Sequence, residues 1–148
     1  MAIDPVIGTL VGTALGGGLG YATQRAQSRR EERRRWETTR YEAALGVLAT
    51  CDRIVNRCGE LLHELNLGQR GDPEPDDLQP WYDEIATVSA RLELVCSHRE
   101  GQALHRLQTA ARLVIGLIAG ANDDVNPFVA FAEARDDFIT VTHRELGT

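Results

Sequence analysis

The chain has 148 residues, a formal net charge of −6 and only 5% aromatic residues, so one domain of ordinary globular composition is expected. This length excludes a large multidomain enzyme, and three cysteines are too few for a disulfide-stapled miniprotein. Residues 1–40 hold seven arginines against four acids, a net charge of +3, whereas residues 41–148 hold nine arginines against 18 acids, a net charge of −9. A basic segment before an acidic body favours a protein with one end on an anionic surface.

The amino-terminal residues 1–24 are predicted to contain a membrane span. Residues 5–24 carry no charge, and a helix of that length matches the hydrocarbon core of a bilayer. Arginines follow the run directly, which predicts a single-pass protein of the cell inner membrane, with its amino terminus outside and its helical body in the cytoplasm. Secretion is disfavoured because a signal peptide carries its positive charges before the apolar stretch. The alternative is a flexible glycine-rich tail, since glycine is a poor helix former.

Glycines recur at every fourth position of this run, at Gly8, Gly12, Gly16 and Gly20. On a helix they would form a groove of bare backbone against which a second helix can pack closely. The pattern predicts helix association, although small residues are common in membrane helices in any case. A phosphate-binding loop is excluded because Gly18-Leu19 stands where that motif requires Lys-Ser/Thr.

Residues 25–40 are predicted to continue the first helix as a basic juxtamembrane segment, with an ion pair between Glu31 and Arg35. Six arginines are candidate ligands for anionic lipid headgroups: Arg25, Arg29, Arg30, Arg33, Arg34 and Arg35. The alternative is a stop-transfer flank with no further role. Nucleic acid is disfavoured as a partner because only Trp36 and Tyr41 stand nearby to stack on bases.

Residues 41–148 are predicted to be an antiparallel bundle of four amphipathic helices, which makes the fold class all-α. A heptad seam defines the first of them: Tyr41, Ala44, Leu48, Cys51, Val55, Cys58, Leu62 and Leu65. A flexible acidic Pro/Gly loop, residues 68–80, follows without the spacing of a calcium loop.

Local signals predict where the other three helices start. Pro80 opens the second, Ser97 and Glu100 form a capping box for the third, and Asn126-Pro127 starts the fourth. The predicted inward residues are Trp81, Ile85, Val88, Leu92 and Val95 on the second helix, Leu104, Leu107, Ala111, Val114 and Ile118 on the third, and Phe128, Phe131, Ala132, Phe138 and Ile139 on the fourth.

The order of these features resembles a group of small actinobacterial membrane-anchored helical proteins. The resemblance rests on the amino-terminal run, the arginine-rich segment, residues 41–45 (YEAAL), residues 90–95 (ARLELV) before Ser97, and residues 144–147 (RELG). It implies an anchored helical architecture and no particular activity.

No set of residues in the sequence predicts catalysis, a metal site or a cofactor. Cys51 and Cys58 lie two helical turns apart, too far for a disulfide, and their seam positions predict core thiols; either could face Cys96 on a neighbouring helix. Glu60 and His63 match half of a di-iron motif whose second half is missing. The remaining histidines have no ligand partner at a suitable spacing: His98, His105 and His143.

The sequence therefore favours a membrane-anchored helical scaffold that binds anionic lipids and either another protein or itself, through the span or the bundle. The alternative, from a different class, is a membrane-active oligomer of glycine-lined helices, comparable to a small holin or toxin. Growth arrest with membrane leakage on expression would favour the pore, and benign expression would favour the scaffold. An enzyme ranks third.

Overall fold

The computed structural model describes the backbone of residues 5–69, 71, 73–120 and 126–147, and the side chains of these residues from Gln24 onward except that of Pro75. This part of the chain is all-α and contains four helices and no strand: α1 (Pro5–Asn66), α2 (Pro75–Glu93), α3 (His98–Ile118) and α4 (Pro127–Leu146). It divides into two compact units, Met1–Thr38 and Thr39–Thr148. The predicted fold class is confirmed at this level.

Three helix boundaries are explained by capping residues that can be recognised in the sequence. The Ser97 side chain accepts a hydrogen bond of 3.2 Å from the backbone N–H of Glu100 at the start of α3. The Asn126 Oδ1 accepts one of 3.1 Å from Phe128 N–H at the start of α4. Gly147 ends α4 in the left-handed conformation with φ of 74°, which glycine adopts without steric cost. The predicted starts of α3 and α4 are confirmed.

Within the second unit, contacts between side chains define the direction of each helix. Arg106 on α3 reaches Asp137 on α4, while Leu113 and Ala130 line the same cleft further along, so these two helices run antiparallel. Helices α1 and α4 also run antiparallel, because Arg135 pairs with Asp52 and Phe128 lies close to Gly59. Helices α1 and α2 do the same, because Arg53 pairs with Glu84 and Tyr82 lies beside Cys58. The bundle is therefore up-down-up-down, as predicted.

The core lies around α3, which has more buried positions than a single seam provides. Ten residues of α3 are buried, including all five predicted inward positions. Phe138 from α4 and Ile85 and Leu92 from α2 are fully buried against it. Because α3 is covered on several sides, most of its circumference is apolar or small.

The inward faces of α1 and α4 differ in part from the prediction. Ala44, Cys51, Val55 and Cys58 are buried as expected, but Tyr41 is exposed. Val47, Ile54 and Leu61 are buried although they lie outside the predicted seam. A two-stranded seam buries one narrow stripe, whereas a bundle helix between two neighbours buries a wider one. On α4, Ala132 is exposed, which corrects its predicted inward position.

Helix α2 begins at Pro75 rather than at Pro80, so the predicted loop 68–80 is wrong over its last six residues. The backbone N–H of Glu74 donates to Asp77 Oδ2 at 3.3 Å, and proline is well tolerated at the first helical position. Acids in a first turn also interact favourably with the helix dipole. Pro80 then costs only one hydrogen bond inside the helix, while Leu78 becomes a core residue.

The predicted membrane span is not supported. Among the helices of the described residues, none combines the length with the apolarity that a bilayer crossing needs. The glycine positions 8, 12, 16 and 20 belong to the α1 backbone, but their surroundings lie outside the description that begins at Gln24. Helix association through Gly8, Gly12, Gly16 and Gly20 stays a prediction.

Candidate interaction surface

A surface cleft lies between α3 and α4 in the described part of the chain. Its volume is about 550 Å³, within the range of about 300–1,000 Å³ typical of binding clefts. The floor is apolar and made largely of small side chains: Ala110, Leu113, Ala130 and Ala134. Leu113 remains 39% exposed there, so the floor presents apolar surface to a ligand.

The rim of this α3–α4 cleft is polar and charged. It contains His105, Arg106, Thr109, Glu133 and Asp137. Arg106 Nη2 donates to Asp137 Oδ2 at 2.7 Å across the mouth, whereas Glu133 has no ion-pair partner among the described residues. An apolar floor inside a polar rim is the anatomy of a protein-binding surface.

The size of the side chains on α4 explains why a cleft is present. Ala130, Ala134 and Asp137 follow one another about one turn apart on α4 and line the cleft beside α3. Alanine at two of these positions leaves space that a larger side chain would fill. The cleft is therefore a property of residue size at the α3–α4 contact.

A buried ion pair joins α1 to the start of α3. Arg40 Nε donates to Glu100 Oε2 at 2.6 Å, and the Glu100 side chain is fully buried. Arg40 Nη2 also lies 3.7 Å from Glu145 Oε2 near the end of α4. Within the described part of the chain, Glu100 Oε1 has no hydrogen-bond partner. The three side chains tie together three helices at one end of the second unit.

The sequence missed this role for Glu100. The capping box predicted that its carboxylate would turn back towards Ser97, and the structure instead places it against Arg40. Only the Ser97 half of the box is formed as a backbone cap. The available signal was the position of Glu100 one turn before Leu104 on the inward face of α3.

A second ion pair between helices is better solvated. Arg135 on α4 binds both carboxylate oxygens of Asp52 on α1, at 2.8 and 3.1 Å from Nε and 3.0 Å from Nη2. These hydrogen bonds raise the pKa of Arg135 above its ordinary value. Because both side chains are about one third exposed, the pair mainly fixes the alignment of α1 with α4.

The three cysteines are free thiols. Cys51 and Cys58 are completely buried in the core, which confirms their prediction as core residues. Burial raises the pKa of each to about 12, and the charge of Asp52 adds to the effect at Cys51. Cys96 is half-buried beside the α3 start, and its pKa is raised chiefly by burial and then by Glu100. All three thiols are thus poor nucleophiles at neutral pH.

The other residues that the sequence singled out lie on the surface. Glu60 pairs with Arg57 at 2.7 Å, and His63, His98, His105 and His143 are exposed. Among the described residues no three His, Cys, Asp or Glu side chains gather as a metal site would require. The α3–α4 cleft is the candidate surface because it combines small apolar side chains with charged ones.

The arginines predicted to bind lipid headgroups are all exposed on α1: Arg25, Arg29, Arg30, Arg33, Arg34 and Arg35. Arg33 Nε pairs with Glu37 Oε1 at 3.1 Å. The predicted pair between Glu31 and Arg35 is not formed. Lipid binding by the arginines stays a prediction.

Comparison with protein-family models, with curated protein sequences and with solved structures finds no match to this chain.

Proposed function

We propose that this protein is a helical interaction protein whose second unit binds a helix of a protein partner in the α3–α4 cleft. The observation that carries the proposal is the apolar floor of Ala110, Leu113, Ala130 and Ala134 within a charged rim. Small floor residues let a partner backbone approach closely, and apolar grooves of this kind accept the apolar face of an amphipathic helix. Rim charges such as Glu133 then select the partner by charge.

Filling the cleft tests this function. In gentle extracts of the producing cells, the full-length chain should elute from size exclusion in a complex larger than the free protein. Ala130→Trp should fill the floor and release the free chain, whereas Ala132→Trp, on the exposed face of the same helix, should leave the complex intact. Equal elution of both variants with the wild-type complex would overturn the proposal. Circular dichroism and urea midpoints check that both variants fold.

We further propose, on sequence grounds, that the amino-terminal segment anchors the protein at a membrane with the second unit in the cytoplasm. The uncharged residues 5–24 and the six arginines after them support this placement, while the apolarity of α1 does not. Washing membranes with alkaline carbonate separates the cases. Full-length protein in the pellet supports the anchor, and full-length protein in the supernatant contradicts it.

A further inference from the structure

The arginine-rich stretch of α1 presents one large aromatic side chain. Trp36 is 57% exposed, and Arg29, Arg33 and Trp36 follow one another at spacings of four and three residues. On a helix these spacings place all three side chains on one face. Tryptophan and arginine are the residue types most enriched among the dominant contacts of protein interfaces.

The α3–α4 cleft carries the complementary pattern. Ala130, Glu133 and Asp137 follow one another on α4 at spacings of three and four residues and all line the cleft. Two carboxylates one helical turn apart therefore stand beside an alanine-floored hollow. The body that carries them has a net charge of −9, against +3 for residues 1–40, so the two surfaces attract each other.

We propose that the cleft of one copy binds residues 29–36 of a second copy, with the incoming helix antiparallel to α4. In this register Trp36 faces Ala130 over the apolar floor, and Arg33 faces Glu133. Arg29 faces Asp137, whose exposed pair with Arg106 exchanges partners at little cost. The register follows from the two patterns, because the order Arg29, Arg33, Trp36 reverses the order Ala130, Glu133, Asp137 with the same steps. This inference rests on the proposed function and names the partner of that same cleft.

The contact joins two different surfaces, so each copy offers one basic helix and one cleft. Such head-to-tail contacts produce closed rings or open chains of copies rather than a simple symmetric pair. The Arg33–Glu37 pair is no obstacle, because both side chains are more than half exposed and an exposed pair exchanges partners at little cost. Glu133 is available to pair with Arg33 because it has no ion-pair partner among the described side chains.

Reciprocal charge reversal tests the contact in the full-length chain. Sedimentation velocity at low salt should show a mass that rises with concentration for the wild type. Arg33→Glu and Glu133→Arg should each raise the dissociation constant of self-association by about tenfold or more. An equimolar mixture of the two variants should regain association, since each contact is then again between opposite charges. Arg35→Glu makes the same charge change about 200° around the helix from Arg33 and should have little effect.

The mixture decides the outcome. Regained association in the mixture supports the proposal, and a blue shift of Trp36 emission, absent in Trp36→Phe, adds the predicted burial. Variants that associate like the wild type, or a mixture that stays dissociated, overturn it. If that happens while Ala130→Trp still releases the free chain from its complex in cell extracts, the proposed function stands and the partner helix belongs to another protein. If Ala130→Trp also changes nothing, both the function and the inference fail.

Discussion

The Arg40 guanidinium and the Glu100 carboxylate meet at 2.6 Å across the α1–α3 contact, and the carboxylate has no exposed surface. Burying two charges costs desolvation free energy that their attraction only partly offsets. Removing either partner should therefore lower the free energy of unfolding, and the two removals should lower it by different amounts. Arg40 keeps Glu145 at 3.7 Å and some solvent, whereas Glu100 has only Arg40 within the described structure.

Arg40→Met should lower the free energy of unfolding by about 3–5 kcal/mol, because it leaves a buried carboxylate without its counter-charge. Glu100→Leu should lower the free energy of unfolding by a smaller amount, about 1–2 kcal/mol, because the remaining Arg40 side chain is 17% exposed and is therefore partly solvated. Urea unfolding of the full-length variants measures both values.

The control is the double variant Arg40→Met/Glu100→Leu, in which no charge remains buried. It should unfold within about 1 kcal/mol of the wild type, or above it. Equal losses in the two single variants would contradict the asymmetry that the structure predicts.

The buried thiols predict a loss of stability in alkaline solution. Cys51 and Cys58 have ordinary pKa values of 9.0 and folded-state pKa values of about 12. Between these values unfolding releases protons, so the free energy of unfolding should fall as the pH rises from about 9 to about 12 and should be unaffected by these thiols below that window. Urea midpoints at a series of pH values measure the slope. Cys51→Ala/Cys58→Ala should flatten it, and an unchanged slope would assign the effect to other groups, such as Tyr82, whose pKa burial also raises.

Arg135 binds both carboxylate oxygens of Asp52, which predicts that arginine is needed at position 135. Lysine keeps the charge but cannot bind both oxygens of Asp52 at once, so Arg135→Lys should cost about 0.5–1 kcal/mol. Arg53→Lys is the matched control, because Arg53 bonds Glu84 through one nitrogen at a more exposed site. Its urea midpoint should stay at the wild-type value. Equal midpoints for the two variants would show that the second hydrogen bond adds nothing.

Two glycines should respond to alanine with opposite signs. Gly46 lies inside α1, where an added Cβ would meet nothing within 4 Å, so Gly46→Ala should stabilise the protein by about 0.5–1 kcal/mol. Gly120 has φ of 84°, and a side chain there is strained, so Gly120→Ala should cost about 1 kcal/mol. Thermal unfolding of both variants checks the signs; a stabilised Gly120→Ala would contradict the positive φ of Gly120.

Periodicity and capping residues were sufficient to predict the all-α class, the starts of α3 and α4, and the buried face of α3. They were insufficient where the outcome depended on which helices became neighbours. Tyr41 is exposed and Val47 is buried because α1 packs against more than one helix. Pro75 and Pro80 are both suitable first residues of a helix, and the density of Gly, Pro and acidic residues before Pro80 favours a loop where α2 in fact begins.

The α3–α4 cleft could not be predicted from the sequence, although every residue that lines it can be read there. Ala130 and Ala134 are unremarkable on α4 alone, and they make a hollow only because they face Ala110 and Leu113 of α3. Glu100 likewise became a buried charge only through the approach of Arg40, which lies 60 positions earlier in the chain. Tertiary proximity, rather than local pattern, creates both features.

Site-specific photocrosslinking in the producing cells tests most directly whether the α3–α4 cleft binds the partner of this protein. A photoreactive phenylalanine replaces Ala130 on the cleft floor or, as the matched control, Ala132 on the exposed face of α4. A discrete crosslinked adduct of the full-length chain is expected from position 130 and none from position 132. No adduct from position 130, or equal yields from both positions, would contradict binding in the cleft.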